Sequence, residues 1–339
     1  MKTKALRIGY QGEKGAYSET AIEAMFAEQK VEKKAFRTSY AVVDALKKNK
    51  IDFGLLPIEN SIMGSITHTY DLLLENSLHI SREVIIPIHH ALLVTKGVKT
   101  KEIKKIYSHP AAIAQCEVFL RKFEKAEILP TYDTAGSARM IAEKKLGDAA
   151  AIAGAGTAEV YDLDVLYTNI EDYPHNQTRF VLVSIEKVEK ETSAYIPCKV
   201  TAAFDALDQP GMLHQCLGIF EKYEVNLTQL ASRPSKSEPW KYHFFVDLEG
   251  RQQDTNVREA FEEIGKLTGA VYLLGSYPKF ELAADDYEPH RKKGIKKKTG
   301  PLYSLEAKPE PTIIEVKGHK IGGGNFTLIA GPCSVEGRE

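Results

Sequence analysis

Leu6-Arg-Ile-Gly-Tyr10-Gln-Gly-Glu-Lys-Gly15-Ala-Tyr17-Ser18-Glu19 begins as a short apolar run, turns at glycines, and opens a helix. Residues 6–10 read as a strand and 17–29 as the helix that follows it. The same alternation recurs along the first half of the chain. Strands are expected at 53–57, 84–88, 90–95, 105–107, 149–153, 165–168 and 179–184, and helices near 39–48, 65–76, 109–123, 135–146 and 154–161. Strands alternating with helices of this length give an α/β sheet covered on its faces. Two such runs, joined around residues 77–95, predict two lobes, and the strand at 179–185 comes late enough to return to one of them.

A second unit follows the polar stretch 186–195. Its order is strand 198–205, helix 211–223, strand 226–233, strand 240–248, helix 255–267 and strand 271–277, the βαββαβ arrangement of ferredoxin-like modules. Beyond 278 the composition changes. An acidic, proline-broken stretch precedes the basic run Arg291-Lys-Lys-Gly-Ile-Lys-Lys-Lys. Residues 278–311 therefore read as a charged, solvated linker, with two more strand-like pieces in 312–339.

Composition narrows the function classes. The 339 residues carry 45 Lys+Arg against 46 Asp+Glu, a net charge of −1, with 43% apolar residues. A globally basic nucleic-acid binder is disfavoured, and no stretch has the length of a membrane span. The four cysteines (Cys116, Cys198, Cys216, Cys333) show neither zinc nor disulfide spacing, and no secretory h-region is seen. A cytoplasmic, reducing location is expected, with no metal. His89 and His90 should point to opposite faces of a strand and cannot form a paired metal site, so ordinary packing is expected of them.

The informative residues sit at strand-to-helix junctions: Tyr17 and Ser18; Glu59, Asn60 and Ser61; Ser108 before His109-Pro110; and Thr134. Each puts small polar side chains beside free backbone N–H groups at a helix N-terminus, which attract carboxylate or phosphate. Any one alone is best read as a helix cap. Four together, in two lobes, point to a cleft for a small anion, and leave enzyme and binding protein undistinguished.

Several segments resemble prephenate dehydratases. Residues 9–21, Leu56-Pro-Ile-Glu59-Asn60-Ser61-Ile-Met-Gly, Ser108-His-Pro, and Asn176-Gln-Thr178-Arg179-Phe180 follow one another in the family's order across the first 186 residues. Ala111 stands where the family usually has glutamine; Gln115 is in place. The resemblance implies a periplasmic-binding-protein-like catalytic domain (1–186), without a cofactor, that turns prephenate into phenylpyruvate on the route to phenylalanine. It implies Thr178 as the donor to the departing hydroxyl. Asn60, Ser108, Gln115 and Glu59 would share its network, and Arg179, Ser61, Ser18, Tyr17 and Thr134 would hold the substrate.

Residues 197–277 resemble the regulatory ACT domain of many family members. That implies phenylalanine binding through Gly211, Met212 and Leu213 together with Ala231, Ser232, Arg233 and Pro234, and pairing into a homodimer or homotetramer. Met212 and Ala231 replace the family's alanine and glutamate. The final stretch, with Gly331-Pro-Cys333-Ser-Val-Glu, resembles the start of a DAHP synthase, as if the chain were a truncated fusion of two enzymes of the aromatic pathway. Arogenate dehydratase and a non-catalytic carboxylate-binding module are the competing readings; the Thr178 motif favours catalysis over mere binding.

Overall fold

The computed structural model describes residues 5–27, 29–188, 196–206, 209–236, 238, 241–280, 313–316 and 319–322. The first lobe contains β1 (Leu6–Gln11), α1 (Tyr17–Met25), β2 (Val31–Phe36), α2 (Ser39–Lys47), β3 (Phe53–Asn60), β4 (Gly64–Ser65), α3 (Thr67–Glu75) and β5 (His79–Pro87). The second contains β6 (His90–Thr95), β7 (Lys105–Ser108), α4 (Pro110–Ala114), α5 (Glu117–Leu120), β8 (Glu127–Pro130), α6 (Thr134–Glu143), β9 (Ala149–Gly154), α7 (Thr157–Tyr161) and β10 (Leu163–Thr168). The chain then crosses back. β11 (Gln177–Ser184) enters the first sheet, whose order is β2-β1-β3-β11-β5, while the second sheet runs β10-β6-β9-β7-β8. The late strand thus belongs to the first lobe and pairs antiparallel with both β3 and β5.

Two strands escape a reading of apolar runs. β2 (VEKKAF) and β8 (EILP) are edge strands with one free side, so they tolerate polar residues. The helix expected at 109–123 is broken into α4, α5 and a single 3-10 turn, Arg121–Phe123. The break falls at Gln115 and Cys116. There the Gln115 carbonyl accepts from the Asp172 N–H at 2.7 Å, and the Asp172 carboxylate accepts from Val118 N at 3.1 Å. A segment of the return crossover therefore holds Gln115 in place.

The ferredoxin-like unit contains β12 (Cys198–Ala206), α8 (Met212–Lys222), β13 (Leu227–Pro234), β14 (Tyr242–Glu249), α9 (Thr255–Thr268) and β15 (Val271–Pro278), with sheet order β13-β14-β12-β15. Both faces of its sheet are used, as strand alternation requires. Val200, Ala202 and Phe204 face α8 and α9 in one core, and Ala203, Phe245, Leu274 and Tyr277 join the core of the first lobe. The contact between the two is close. A Cβ on Gly275 would stand 2.4 Å from the carbonyl oxygen of Ile80 on β5, so only glycine lets the backbones meet there.

Residues 290–339 form a separate unit, in which β16 (Ile313–Val316) pairs antiparallel with β17 (His319–Gly322). Most of the expected linker, and the Gly331-Pro-Cys333 stretch, lie outside the described residues.

Candidate active site

The carboxyl ends of β1, β3, β7 and β9 and the end of β11 that begins the strand meet where the lobes face each other. Asn60 ends β3 and is the cross-strand partner of Thr178 on β11; the next pair is Glu59 with Arg179. Alternation sends these two pairs to opposite faces of the sheet. Thr178 and Asn60 face the second lobe, whereas Glu59 and Arg179 face the ferredoxin-like unit.

Asn60 sets the orientation of everything around it. Its Oδ1 accepts from the backbone N–H of Ile62 at 3.0 Å and of Met63 at 2.9 Å, and backbone donors cannot be flipped. Its Nδ2 therefore carries the donors, two hydrogens shared among Asn176 Oδ1 at 2.8 Å, Gln177 O at 2.9 Å and Thr178 Oγ1 at 3.0 Å. Asn176 turns its own Nδ2 to Gln115 Oε1 at 2.9 Å, and Gln115 Nε2 faces Asn60 Oδ1 at 3.4 Å. Asn60, Gln115, Asn176 and Thr178 are all buried. The Thr178 oxygen accepts from Asn60, and among the described residues no hydrogen bond donated by the Thr178 hydroxyl is seen.

The two crossovers that join the lobes are clasped beside this network. Glu171 accepts from His90 N at 2.9 Å and pairs with His89 Nδ1 at 3.0 Å. Burial pushes the Glu171 carboxyl up, but the hydrogen bonds from His89 and the backbone outweigh it and leave its pKa lowered. The hydrogen bond to Glu171 in turn raises that of His89 against partial burial. The lobes also touch across the β1–α1 turn. Glu13 accepts from Tyr132 Oη at 2.6 Å and pairs with Arg139 at 2.7 Å, while Thr157 Oγ1 donates to Gly15 O at 2.8 Å.

The expected site residues divide. Thr178, Asn60 and Gln115 come together, and Tyr17 joins them through His90. Ser61 stands at their rim, donating to His175 O and accepting from Gln177 N. Ser108 is fully buried and spends its hydroxyl on Ile152 O at 2.7 Å, fixing β7 to β9. Ser18 is buried in the first turn of α1. The cap of α6 is Asp133, which accepts from Gly136 N at 2.7 Å; Thr134 is the first helical residue instead.

Arg179 requires a correction. Far from offering a cation to a ligand, it is buried against Glu59 at 3.1 Å, Glu83 at 3.2 Å and Asp247 of β14 at 2.5 Å. Glu59 goes with it, away from Thr178. Near the cleft, the guanidinium of Arg37 lies 5.2 Å from the Tyr132 ring centre across the two lobes, and no ion pair of Arg37 is seen among the described residues.

Sequence reasoning left Asn176, Glu171 and His90 without roles. Asn176 stands inside the quoted motif at 176–180, Glu171 lies just before it, and His90 reads in sequence as packing.

Residues 8–188 match the family model described as prephenate dehydratase, and 200–266 match that of the ACT domain. The chain belongs to the prephenate dehydratase family. Arogenate dehydratase 2 of Petunia hybrida is 36% identical over 288 residues, covering 80% of this chain and 72% of the relative. The bifunctional chorismate mutase/prephenate dehydratase of Pseudomonas aeruginosa is 33% identical over 283 residues, covering 81% and 73%. Among solved structures, a prephenate dehydratase from Arthrobacter aurescens in complex with L-Phe superposes with a TM-score of 0.73 at 29% identity, covering 81% of this chain and 90% of that one. This prephenate dehydratase family member is accordingly a hydro-lyase with an ACT domain, in the two-lobed fold expected.

The segments expected to bind phenylalanine lie at two places on the ACT unit. Gly211 takes a left-handed conformation (φ 81°) ahead of α8, Met212 is buried in the ACT core and Leu213 is half-buried. On β13, Ser232 and Pro234 are exposed, while Ala231 and Arg233 face the first lobe. Arg233 makes a bidentate pair with Asp71 of α3 at 2.9 and 2.8 Å. No helix among the described residues is long and apolar enough to cross a membrane.

Proposed function

We propose that this protein converts prephenate into phenylpyruvate, carbon dioxide and water, with Thr178 as hydrogen-bond donor to the leaving hydroxyl. The observation that carries this is the bond from Asn60 Nδ2 to Thr178 Oγ1 at 3.0 Å, which occupies a lone pair of the hydroxyl and turns its hydrogen toward the cleft. The C–C bond to the ring carboxylate breaks and releases CO2. Its electron pair closes the aromatic ring, the C–O bond at the opposite carbon breaks, and the departing oxygen leaves as water with one proton from solvent. Aromatisation supplies the drive, so no cofactor is needed. A donor placed on the developing hydroxide favours the transition state over the ground state.

The burial of Arg179 elsewhere suits this chemistry. A cation paired with the ring carboxylate would hold back its loss, whereas the side-chain carboxylate persists through the reaction and needs a lasting countercharge. We assign that role to Arg37. Arogenate, which replaces the keto group by an amine, undergoes the same bond changes at the same atoms; both substrates occur in the names of relatives.

The decisive assay supplies prephenate and arogenate separately and follows phenylpyruvate or phenylalanine. Thr178→Ala is expected to lower kcat by about 10²–10⁴ with little change in KM, and Thr178→Ser to retain most of it. Wild-type turnover in Thr178→Ala removes Thr178 from its role, and a wild type inactive on both substrates sinks the reading.

Phenylalanine is the effector we assign to the ACT unit. A homodimer, or a tetramer built from it, would use the edge of β13, a strand bonded on one side only, with Leu230 43% exposed. The buried free thiols of Cys116, Cys198 and Cys216 suit a reducing, cytoplasmic setting. A fusion to a DAHP synthase-like domain remains the reading of the last residues, resting on Gly331-Pro-Cys333-Ser-Val-Glu.

A further inference from the structure

The amide network ends on a histidine whose donor and acceptor sides can be assigned. Gln115 Oε1, oriented by Asn60 and Asn176, is a pure acceptor, and His90 Nε2 lies 2.8 Å from it. His90 must therefore carry its proton on Nε2. The ring is buried, which lowers its pKa and keeps it neutral, so Nδ1 is a bare acceptor. The hydroxyl of Tyr17 stands 2.9 Å from that nitrogen, and its ring meets the imidazole edge-on at 5.6 Å. The His89 carbonyl, 2.8 Å away, is the other acceptor within its reach. Gly154, at the end of β9, leaves room for the Tyr17 ring: a Cβ there would stand 3.3 Å from it.

We propose that Tyr17 and His90 are positioning residues that complete a one-way chain of hydrogen bonds ending at Thr178. Tyr17 O–H, shared with the His89 carbonyl, donates to His90 Nδ1, His90 Nε2–H to Gln115 Oε1, Gln115 Nε2–H across 3.4 Å to Asn60 Oδ1, and an Asn60 Nδ2–H, shared with Asn176 and Gln177, to Thr178 Oγ1. Every link points the same way, so each polarises the next and strengthens the final donor. The chain also crosses the cleft. Tyr17, Asn60 and Thr178 come from the first lobe, and His90 and Gln115 from the second, so the chain is complete only when the lobes are apposed. Neither Tyr17 nor His90 is assigned contact with substrate here; both act through Gln115 and Asn60. The inference rests on the dehydratase reading for what Thr178 does, and on hydrogen-bond geometry alone for the chain.

The test compares wild type with His90→Met, His90→Gln and Tyr17→Phe. Glutamine can present an N–H near the position of imidazole Nε2, whereas methionine fills the space without a donor. His90→Met is expected to lower kcat about tenfold to a hundredfold with KM nearly unchanged. His90→Gln should recover most of that loss, and Tyr17→Phe should lower kcat by less than His90→Met. Nitrogen-15 NMR of the histidines reads the chain independently of activity. It should show His90 as the Nε2–H tautomer in wild type, with a shifted Nδ1 resonance in Tyr17→Phe. Should His90→Met not fold, the NMR signature and the kcat of Tyr17→Phe and His90→Gln decide. An Nδ1–H tautomer, a His90→Gln variant no better than a folded His90→Met, or wild-type kcat in Tyr17→Phe overturns the proposal. A wild type that shows the expected tautomer but turns over neither substrate would instead sink the dehydratase reading and leave the chain standing.

Discussion

Thr178 and Arg179 were legible as a pair in the sequence, and the pairing misled. Read as one motif, both belonged to the substrate. Strand alternation separates them, so that the hydroxyl faces the cleft and the guanidinium faces Asp247. The same period-2 argument, applied in sequence to His89 and His90, was available for Thr178 and Arg179 as well. What the sequence could not supply was the partner on either side. Asn60 and Gln115 stand 118 and 63 positions before Thr178, and only folding brings them to it. Arg37, the cation proposed for the side-chain carboxylate, follows an edge strand that has no apolar signature. Arg37→Ala is expected to raise KM about tenfold or more with kcat within a few-fold, since it contributes binding in ground and transition states alike. An unchanged KM for prephenate in steady-state assays would dismiss it.

At the level of elements, the crossovers position the candidate site. The break between α4 and α5 was hidden in sequence because residues 111–122 contain neither glycine nor proline; Asp172, which bonds at the break, lies in a distant segment. The clasp between His89 and Glu171 makes the hinge sensitive to pH. Its histidine has a raised pKa, so its stabilisation is present in full below the pKa of an unfolded histidine and is lost as the pH climbs through the raised value. Its glutamate has a lowered pKa, so the contribution is lost again when the pH falls through that value. His90 behaves oppositely to its neighbour: buried neutral, it costs stability as the pH falls below that of a free imidazole. The gap in melting temperature between wild type and His89→Gln should be widest near about pH 5–6 and close by about pH 8–9. A gap that is flat across this range would show that the clasp contributes no titrating stabilisation.

Across the whole molecule, the ACT sheet is built into the catalytic lobe and does not hang from a linker. It shares a core with the first lobe, Gly275 lies against Ile80, Arg233 grips Asp71, and Asp247 meets Arg179, which adjoins Thr178. The βαββαβ order was readable from spacing alone; the docking was not, because the faces that bury it look like ordinary core residues. Asp247→Ala removes one of three carboxylates around a buried guanidinium, and the acceptor of the Thr201 hydroxyl, and should destabilise by about 1–3 kcal/mol in urea unfolding. Gly275→Ala should cost about 1–3 kcal/mol through overpacking. Wild-type unfolding midpoints in both variants would mean that the interface adds nothing to stability.

The Arg179–Asp247 contact also limits how freely these modules can be recombined. A foreign effector-binding sheet grafted behind this catalytic lobe must bring a carboxylate to the same spot, or it leaves a buried guanidinium with two of its three carboxylates, one residue from Thr178. Lengthening or shortening β11 by a single residue would exchange the two side chains, putting the guanidinium in the cleft and the hydroxyl in the seam. Chimeras of this protein therefore have to be cut outside β11 and to preserve its residue count.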